Sequence, residues 1–250
     1  MNPIDQLKAE DETLDTFYHG RIRVLQKKRG YRFSVDAPLL ADFVQTRESD
    51  EILELGTGSG IISLLLSVKP FARLTALEVQ GSLMDLARRN VRLNDGDDRI
   101  HVVHTDLRRF SVARKFDVVF SNPPYIKHNT GKLSPSDEKS VAKHELKCTI
   151  FDIMQKTEEL LKLSGVAYFV YPAIREEDFM HALQKTRLRV KNIRYVYPQK
   201  DSEPNFFLVS CDFTSPKRRQ LRPLILYERE GIYTKEAQEI FSGRIHDPAV

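Results

Sequence analysis

A short apolar strand, a glycine-rich turn and an apolar helix follow one another between residues 51 and 68. The strand is predicted over Glu51–Leu55 and the helix over Ile61–Val68. The same order recurs at once, with a strand at Arg73–Leu77 and a helix at Ser82–Asn94 whose apolar residues have helical spacing. Strands that alternate with helices at this spacing predict an α/β fold, in which a mostly parallel sheet carries helices on both faces.

The remaining segments extend this pattern in both directions. A small hairpin is expected within residues 13–33, with its turn at His19-Gly20, and Asp36 is expected to cap a helix over Ala37–Val44. The later elements are predicted as strands at 100–104, 116–120 and 166–170, helices at 150–163 and 176–185, and β-rich runs at 190–197 and 205–211. We therefore predict a basic N-terminal extension (1–33), a central domain (34–213) and a basic C-terminal extension (214–250) packed on it.

Composition excludes several classes of protein. The 250 residues are 41% hydrophobic and 30% charged, which is ordinary for a globular chain and unlike a disordered or collagen-like one. No apolar run approaches the roughly 18–20 residues of a membrane helix, and residues 1–5 are polar, so we expect no signal peptide, no membrane span and a cytoplasmic protein. The two cysteines and seven histidines lack metal-ligand spacing, so we expect reduced thiols and no metal site. Oligomeric state, a monomer or a weak homodimer, is left open.

The net charge is only +4, but the basic residues are clustered. One cluster, without acidic residues, comprises Arg21, Arg23, Lys27, Lys28, Arg29 and Arg32; the other comprises Lys217, Arg218 and Arg219, with Arg222 nearby. Either cluster alone is typical of a solvated surface. Two clusters flanking one domain favour a polyanionic partner, because Lys and Arg release counterions from phosphates.

Three of the predicted strands end in residues suited to binding a nucleoside. Glycines at 56, 58 and 60 allow the backbone to turn sharply and approach a ligand, although their spacing is neither that of a dinucleotide loop nor that of a phosphate loop. Glu78 ends the next strand, where it is placed to accept hydrogen bonds from ribose hydroxyls. Asp106 ends the third strand, as an acceptor for an adenine amino group or as a helix cap. Together the loops predict an adenosine-containing ligand without a pyrophosphate.

The fourth of these strands ends in Ser121-Asn122-Pro123-Pro124-Tyr125. The two prolines fix the backbone and remove two amide donors, which leaves carbonyls free to accept. The Asn122 amide oxygen and the Pro123 carbonyl are thereby suited to accept both hydrogens of one planar NH2 group, while Tyr125 offers a flat face for stacking. A rigid turn without catalytic function is the alternative, which the adjacent ligand loops disfavour.

The glycine turn, with an acid closing the following strand, resembles the nucleotide-binding region of class I S-adenosylmethionine-dependent methyltransferases. The resemblance covers residues 34–212 and implies a Rossmann-like, seven-stranded sheet. It also implies S-adenosylmethionine as cofactor, released as S-adenosylhomocysteine. The residues expected at the cofactor are Asp36, Glu54, Leu55, Gly56, Thr57, Gly58, Gly60, Glu78, Val79, Asp106, Leu107 and Asn122. The residues expected at the reacting amine are Asn122, Pro123, Pro124 and Tyr125.

The motif Asn-Pro-Pro-Tyr resembles that of methyltransferases acting on adenine in nucleic acid, guanine in ribosomal RNA, or a glutamine of a translation release factor. Only about fifty residues precede Glu54, which disfavours the glutamine enzymes because they carry a longer helical domain there. Further segments resemble the bacterial tRNA(Val) (adenine37-N6)-methyltransferase family, although that family often has Thr where this chain has Val35. These segments are Gly30–Asp36, the pair His144-Glu145 and Leu226–Thr234. The resemblance implies N6 methylation of a tRNA adenine. A non-catalytic RNA- or cofactor-binding module is disfavoured by the intact motifs.

Overall fold

The computed structural model describes residues 7–29, 34–123 and 148–243. Its centre is a sheet of seven long strands: β3 (Glu51–Leu55), β4 (Arg73–Glu78), β5 (Ile100–His104), β6 (Phe116–Ser121), β7 (Leu161–Pro172), β8 (Arg189–Tyr197) and β9 (Phe206–Asp212). The helices are α1 (Asp36–Phe43), α2 (Ile61–Leu66), α3 (Gly81–Leu93), α4 (Ile150–Leu160), α5 (Glu176–Leu183) and α6 (Lys235–Phe241). The predicted α/β fold is thereby confirmed.

The strand order is β8-β9-β7-β6-β3-β4-β5, and only β9 runs against its neighbours. From β3 the chain moves outward to β4 and β5, and then returns to place β6 on the other side of β3. This reversal creates a switch point between β3 and β6, where parallel α/β sheets bind ligands beyond the carboxyl ends of their strands. The predicted ligand loops follow strands on either side of that point.

Side chains alternate between two apolar cores, one on each face of the sheet. Ile52, Val118 and Phe120 belong to the core that includes residues of α1, α2 and α6, whereas Leu53 and Val119 belong to the core that includes residues of α4 and α5. Because successive residues of a strand face opposite sides, these central strands are apolar on both faces, as expected for a covered parallel sheet.

The C-terminal segment is partly built into this sheet. Two-residue strands, β10 (Arg219–Gln220) and β11 (Leu224–Ile225), pair with β8 and extend the sheet to nine strands. A small antiparallel pair, β12 (Tyr227–Arg229) and β13 (Ile232–Tyr233), then leads into α6. Ala237 and Ile240 of α6 are buried in the core shared with α1.

Two local predictions are corrected by the structure. Asp36 does not cap α1 from outside, because it is the first helical residue. The helix expected to reach residue 163 ends at Leu160, since Leu161 is fully buried and pairs with Phe116 in the sheet. Gly165 then permits the close approach of β7 to β6, because a Cβ there would lie 2.7 Å from the Asp117 carbonyl oxygen.

The predicted N-terminal hairpin is present as β1 (Glu12–Phe17) and β2 (Ile22–Lys27), joined by residues 18–21. It is attached to α3 by the fully buried Asn90. The Asn90 Oδ1 accepts from the Leu25 amide at 2.7 Å, and its Nδ2 donates to the carbonyls of Leu25 and Ser59, at 3.0 and 2.9 Å. Ser59 belongs to the glycine turn, so one side chain joins the hairpin to that turn.

Replacing Asn90 by Ala is expected to destabilise the protein by about 2–4 kcal/mol, because it leaves several buried backbone groups without a hydrogen-bond partner. Urea unfolding followed by circular dichroism measures the loss. Asn205→Ala, at an exposed side chain, is the matched control and should change stability by less than about 0.5 kcal/mol. Equal stability of the two variants would contradict this assignment for Asn90.

Candidate active site

The glycine turn after β3 lies across the end of β4. The amides of Gly56 and Thr57 both donate to the carbonyl oxygen of Leu77, at 3.1 and 2.9 Å. Gly56 has a φ of 80°, and a Cβ added there would meet nothing within 4 Å among the described residues, so none of them covers the outer side of the turn. This is the arrangement in which a backbone can approach a ligand closely.

Gly60 connects this turn to α2 and brings the first turn of α2 against α3. Its φ is 84°, and a Cβ there would lie 3.3 Å from the Cβ of Ala87. Both the backbone conformation and the close packing therefore require a residue without a side chain.

Glu54 is buried beneath the turn, with 1% of its surface exposed. Its Oε2 accepts hydrogen bonds from the hydroxyls of Thr57, at 2.6 Å, and Ser63. Its Oε1 is buried and has no hydrogen-bond partner among the described residues. Burial raises the pKa of Glu54 to about 7, and nearby Glu78 acts in the same direction, while the two hydroxyls oppose the shift.

Glu78 ends β4 directly beside the turn. Its Oε2 accepts from the amide of Gly58 at 2.9 Å, and its Oε1 accepts from the amide of Gln80 at 2.8 Å. Both carboxylate oxygens are thus fixed by backbone donors. The structure therefore brings together the first two predicted ligand loops, with Glu54 and Glu78 on adjacent strands.

The third loop is joined to the second by a hydrogen bond from the Thr105 amide to the Glu78 carbonyl oxygen, at 2.9 Å, and by one between His104 Nε2 and the Val79 carbonyl oxygen, at 3.0 Å. Asp106 caps the turn that follows and accepts from the guanidinium and amide of Arg108. Those hydrogen bonds with Arg108 lower the pKa of Asp106.

Asp106 therefore acts as a helix cap, which was the alternative to its predicted role in binding adenine. Its contact to adenine stays a prediction, as does that of the adjacent Leu107, which is buried.

The end of β6 meets the end of β3 at the switch point. The hydroxyl of Ser121 donates to the carbonyl oxygen of Leu55 at 2.7 Å, which holds the first residues of the predicted catalytic motif beside the glycine turn. Asn122 follows, and its Nδ2 donates to Oδ2 of Asp36 at 3.0 Å. Pro123 is buried, whereas Pro124 and Tyr125 lie outside the described residues.

Several basic residues predicted to bind RNA form contacts within the protein. Arg23 donates to the Leu93 carbonyl oxygen, and Lys27 forms ion pairs with Asp11 and Glu12. In the described part of the first cluster, the exposed side chains are those of Arg21, Lys28 and Arg29; Arg32 lies outside the described residues.

The second cluster lies beside β8, at an edge of the sheet. Lys217, Arg218 and Arg219 are all exposed, and Arg218 also contacts Glu176 and Tyr195. Arg219 also lines a cavity of about 530 Å³ with residues that precede or begin β3 and β6, away from the glycine turn. The second cluster does not lie near the glycine turn. Its contact with RNA therefore stays a prediction that its position does not support.

Two polar residues at the site, Ser63 and Asn90, were not predicted, and Ser121 was named in the motif without a role of its own. Asn90 was detectable, because it shares the buried face of α3 with Leu86, Ala87 and Val91, where a polar residue needs a partner. Ser63 and Ser121 carry no comparable signal, since serine is common in both helices and loops.

The residues present fit a small nucleoside ligand with a cationic group. No described residue covers the outer side of the glycine turn at Gly56, and Glu54 Oε1, which has no partner among the described residues, is an acceptor suited to an ammonium group. Within the ranges that the structure describes, no group of three or more His, Cys, Asp or Glu side chains is arranged to hold a metal ion. Nor does any helix in those ranges have the length and apolar character needed to cross a bilayer.

A switch-point site with a glycine turn, an acid on the next strand and an Asn-Pro sequence defines the class of enzyme as a methyltransferase with the Rossmann-like class I fold. Residues 32–171 match the family model described as "Methyltransferase small domain". The chain belongs to this family.

The curated relatives are similar over most of their length. A "tRNA1(Val) (adenine(37)-N6)-methyltransferase" from Flavobacteriaceae bacterium strain 3519-10 is 26% identical, covering 90% of this chain and 93% of the relative. A protein of the same name from Phocaeicola vulgatus is 29% identical, covering 81% and 82%.

Solved structures share the fold at lower identity. A predicted O-methyltransferase from Agrobacterium tumefaciens gives a TM-score of 0.65 at 19% identity, covering 84% of this chain and 96% of that one. The tRNA m1G37 methyltransferase of M. jannaschii gives 0.57 at 15% identity, covering 82% and 55%.

Glu54 should make the free protein less stable as the pH rises. Because its pKa is raised from 4.5 to about 7 in the folded state, ionising it costs folding free energy between those values, and the full cost applies above pH 7. At 1.36 kcal/mol per pKa unit, the loss from this group is about 3 kcal/mol. Urea unfolding between pH 5 and pH 8 should show this slope in the wild type and not in Glu54→Gln.

The control is Glu48→Gln, at an exposed carboxylate on the loop before β3, which should retain the wild-type slope. A Glu54→Gln protein with the same pH dependence as the wild type would show that Glu54 stays ionised in the fold.

Proposed function

We propose that this methyltransferase transfers a methyl group to the N6 amine of an adenine in tRNA, adenine 37 of a valine tRNA. The observation that carries the proposal is Asn122, whose amide is held by Asp36 at the carboxyl end of β6, beside the glycine turn. The names of the curated relatives support the same substrate. A tRNA substrate also supports a cytoplasmic location.

The proposed donor is S-adenosylmethionine, which supplies an electrophilic sulfonium methyl group when bound and leaves as S-adenosylhomocysteine. Glu54 is suited to the amino group of its methionine part, because an ammonium would pair with a carboxylate whose Oε1 has no partner in the described part of the chain. Glu78 is suited to the ribose, and Asp106 with Leu107 to the adenine. No metal ion is needed, since the residues act by position and hydrogen bonding.

The acceptor amine is a poor nucleophile, because its lone pair is delocalised into the base. Asn122 Oδ1 and the Pro123 carbonyl are suited to accept its two N–H groups, which favours a pyramidal nitrogen. These hydrogen bonds strengthen as positive charge develops on the nitrogen, so they stabilise the transition state more than the ground state. Pro124 fixes the following backbone, and Tyr125 is proposed to stack on a base that has been flipped out of the RNA.

The turn of the hairpin lies beside the segment that leads into Asp36, which supports a role for the hairpin in guiding the RNA. Its turn, Tyr18–Gly20, lines a cavity of about 750 Å³ together with Ser34 and Val35, which directly precede Asp36. Phosphate contacts from the exposed hairpin residues would orient the RNA without selecting its sequence.

The decisive experiment measures transfer of labelled methyl from S-adenosylmethionine to purified total tRNA, followed by nucleoside analysis. A translation release factor and ribosomal RNA serve as parallel acceptors. We expect N6-methyladenosine in tRNA, with loss of about 100-fold or more in turnover for Asn122→Ala, because it removes a transition-state acceptor. Asn205→Ala should behave as wild type.

Label in the release factor, or in RNA as methylguanosine, would leave the motif chemistry intact and replace the substrate. Near-normal turnover by Asn122→Ala would refute the role of Asn122. Absence of label in every acceptor would favour a non-catalytic binding module.

Neutralising the exposed hairpin residues is expected to weaken tRNA binding and flatten its dependence on salt. The variant carries three substitutions: Arg21→Gln, Lys28→Gln and Arg29→Gln. Each lost phosphate contact should reduce the slope of log K against log salt by about 0.7–0.9. Binding isotherms between about 50 and 200 mM salt measure the slope.

A control variant removes the same number of exposed charges near α5 and β8, through Lys185→Gln, Arg189→Gln and Lys200→Gln. A separate variant neutralises Lys217, Arg218 and Arg219 to test the second cluster. If the hairpin variant and the control have the same slope, the hairpin charges are a solvated surface and not an RNA contact.

A further inference from the structure

The side-chain amide of Asn122 has two chemically different ends, and only one accepts hydrogen bonds. Its oxygen accepts, whereas its nitrogen donates, so an amide turned by 180° would present donors to an amine that also donates. A single bond rotation therefore separates a productive Asn122 from an unproductive one. Some neighbouring group has to favour one orientation.

Asp36 is that group by its chemistry and position. An ionised carboxylate can only accept, so its contact with Asn122, 3.0 Å from Oδ2 to Nδ2, requires the nitrogen of the amide to face Asp36. The two residues are 86 positions apart in the chain, and the fold brings them together. The oxygen of Asn122 is thereby placed at the other end of the planar amide.

The carboxylate of Asp36 is itself fixed. Its Oδ1 accepts from the hydroxyl of Ser34 at 2.5 Å and from the amide of Ala37 at 3.0 Å. Asp36 is the first residue of α1 and only 5% exposed, so these hydrogen bonds hold its carboxyl group in a buried place. Oδ1 of Asp36 thus accepts from Ser34 and Ala37, and Oδ2 accepts from Asn122.

We propose that Asp36 is a positioning residue for methyl transfer, which sets the orientation of the Asn122 amide so that its oxygen faces the acceptor amine. The proposal deepens the proposed function and rests on it for the identity of the amine. It gives Asp36 a second role beside its predicted place among the residues at the cofactor. Asp36 itself touches neither the amine nor the methyl group in this role.

The kinetic test compares two substitutions of Asp36. Asp36→Leu removes the acceptor and should slow single-turnover methyl transfer to tRNA by about 100-fold, the cost of a misplaced reacting group. Asp36→Asn keeps one oxygen able to accept from Asn122, so it should recover most of the rate. Rates are compared at saturating S-adenosylmethionine, so that a change in cofactor affinity does not enter them, and the KM for tRNA should be unchanged in both.

A double-mutant cycle separates positioning from a merely structural effect. If Asp36 acts through Asn122, the variant carrying Asp36→Leu and Asn122→Ala should be no slower than Asn122→Ala alone. Asp42→Leu is the matched control, because Asp42 is another buried carboxylate of α1. It should lower thermal stability without lowering the rate of the folded enzyme.

A spectroscopic signature tests the contact without any acceptor substrate. The Asn122 side-chain amide protons, assigned by their loss in Asn122→Ala, should be shifted downfield and protected from exchange in the wild type. Both features should disappear in Asp36→Leu and persist in Asp42→Leu and Asn205→Ala. This measurement remains decisive if tRNA proves not to be the substrate, so failure of the proposed function and failure of the positioning role are distinguishable.

Three results would overturn the proposal. One is an Asn122 amide signal that does not respond to Asp36→Leu. Another is a loss of rate in the double variant equal to the product of the losses in Asp36→Leu and Asn122→Ala. The third is a raised Kd for S-adenosylhomocysteine in Asp36→Leu with an unchanged transfer rate at saturating cofactor, which would confine Asp36 to cofactor binding.

Discussion

The parallel pairing of β3 with β4 on one side and β6 on the other is the constraint on which the site depends. It aligns the carboxyl ends of β3, β4 and β6 at one edge of the sheet. Hydrogen bonds between the loops that follow these strands then fix the loops. Two amides of the glycine turn share the Leu77 carbonyl oxygen, and the Ser121 hydroxyl reaches Leu55. The side chains of Glu78 and Asn90 add further hydrogen bonds to the glycine turn, so backbone and side-chain groups together fix the loops.

The buried polar groups of this region differ in how fully they are satisfied. Glu78 and Asn90 use both ends of their side chains, which makes them fixed parts of the scaffold. Glu54 differs, because one oxygen is held by two hydroxyls while the other is buried and, like the Ser59 hydroxyl, has no partner among the described residues. A buried acceptor without a hydrogen bond costs folding free energy in the free protein. A ligand that donates a hydrogen bond to it removes this cost, so the site favours such a ligand.

Periodicity and glycine placement were sufficient to predict the sheet, the turn and the approximate position of every long element. They failed where tertiary pairing decided the boundary, as at Leu161, whose burial against Phe116 ends α4 earlier than the local apolar pattern indicates. The site was predictable as a set of loops, because parallel strands end at one edge. The Asp36–Asn122 contact was not, since it joins residues far apart in the chain and depends on the packing of α1.

The hydrogen bonds of Asn90 also bear on which part of the chain forms one folding unit. Its amide spans β2 and the glycine turn, and Ile22 and Val24 of β2 are buried in the same core as α1 and α2. A shortened protein starting after the hairpin would keep every strand of the central sheet, yet it would expose this core and leave the amide unsatisfied. The hairpin and the central sheet therefore form one folding unit that begins with β1. A shortened protein made for engineering should retain the hairpin.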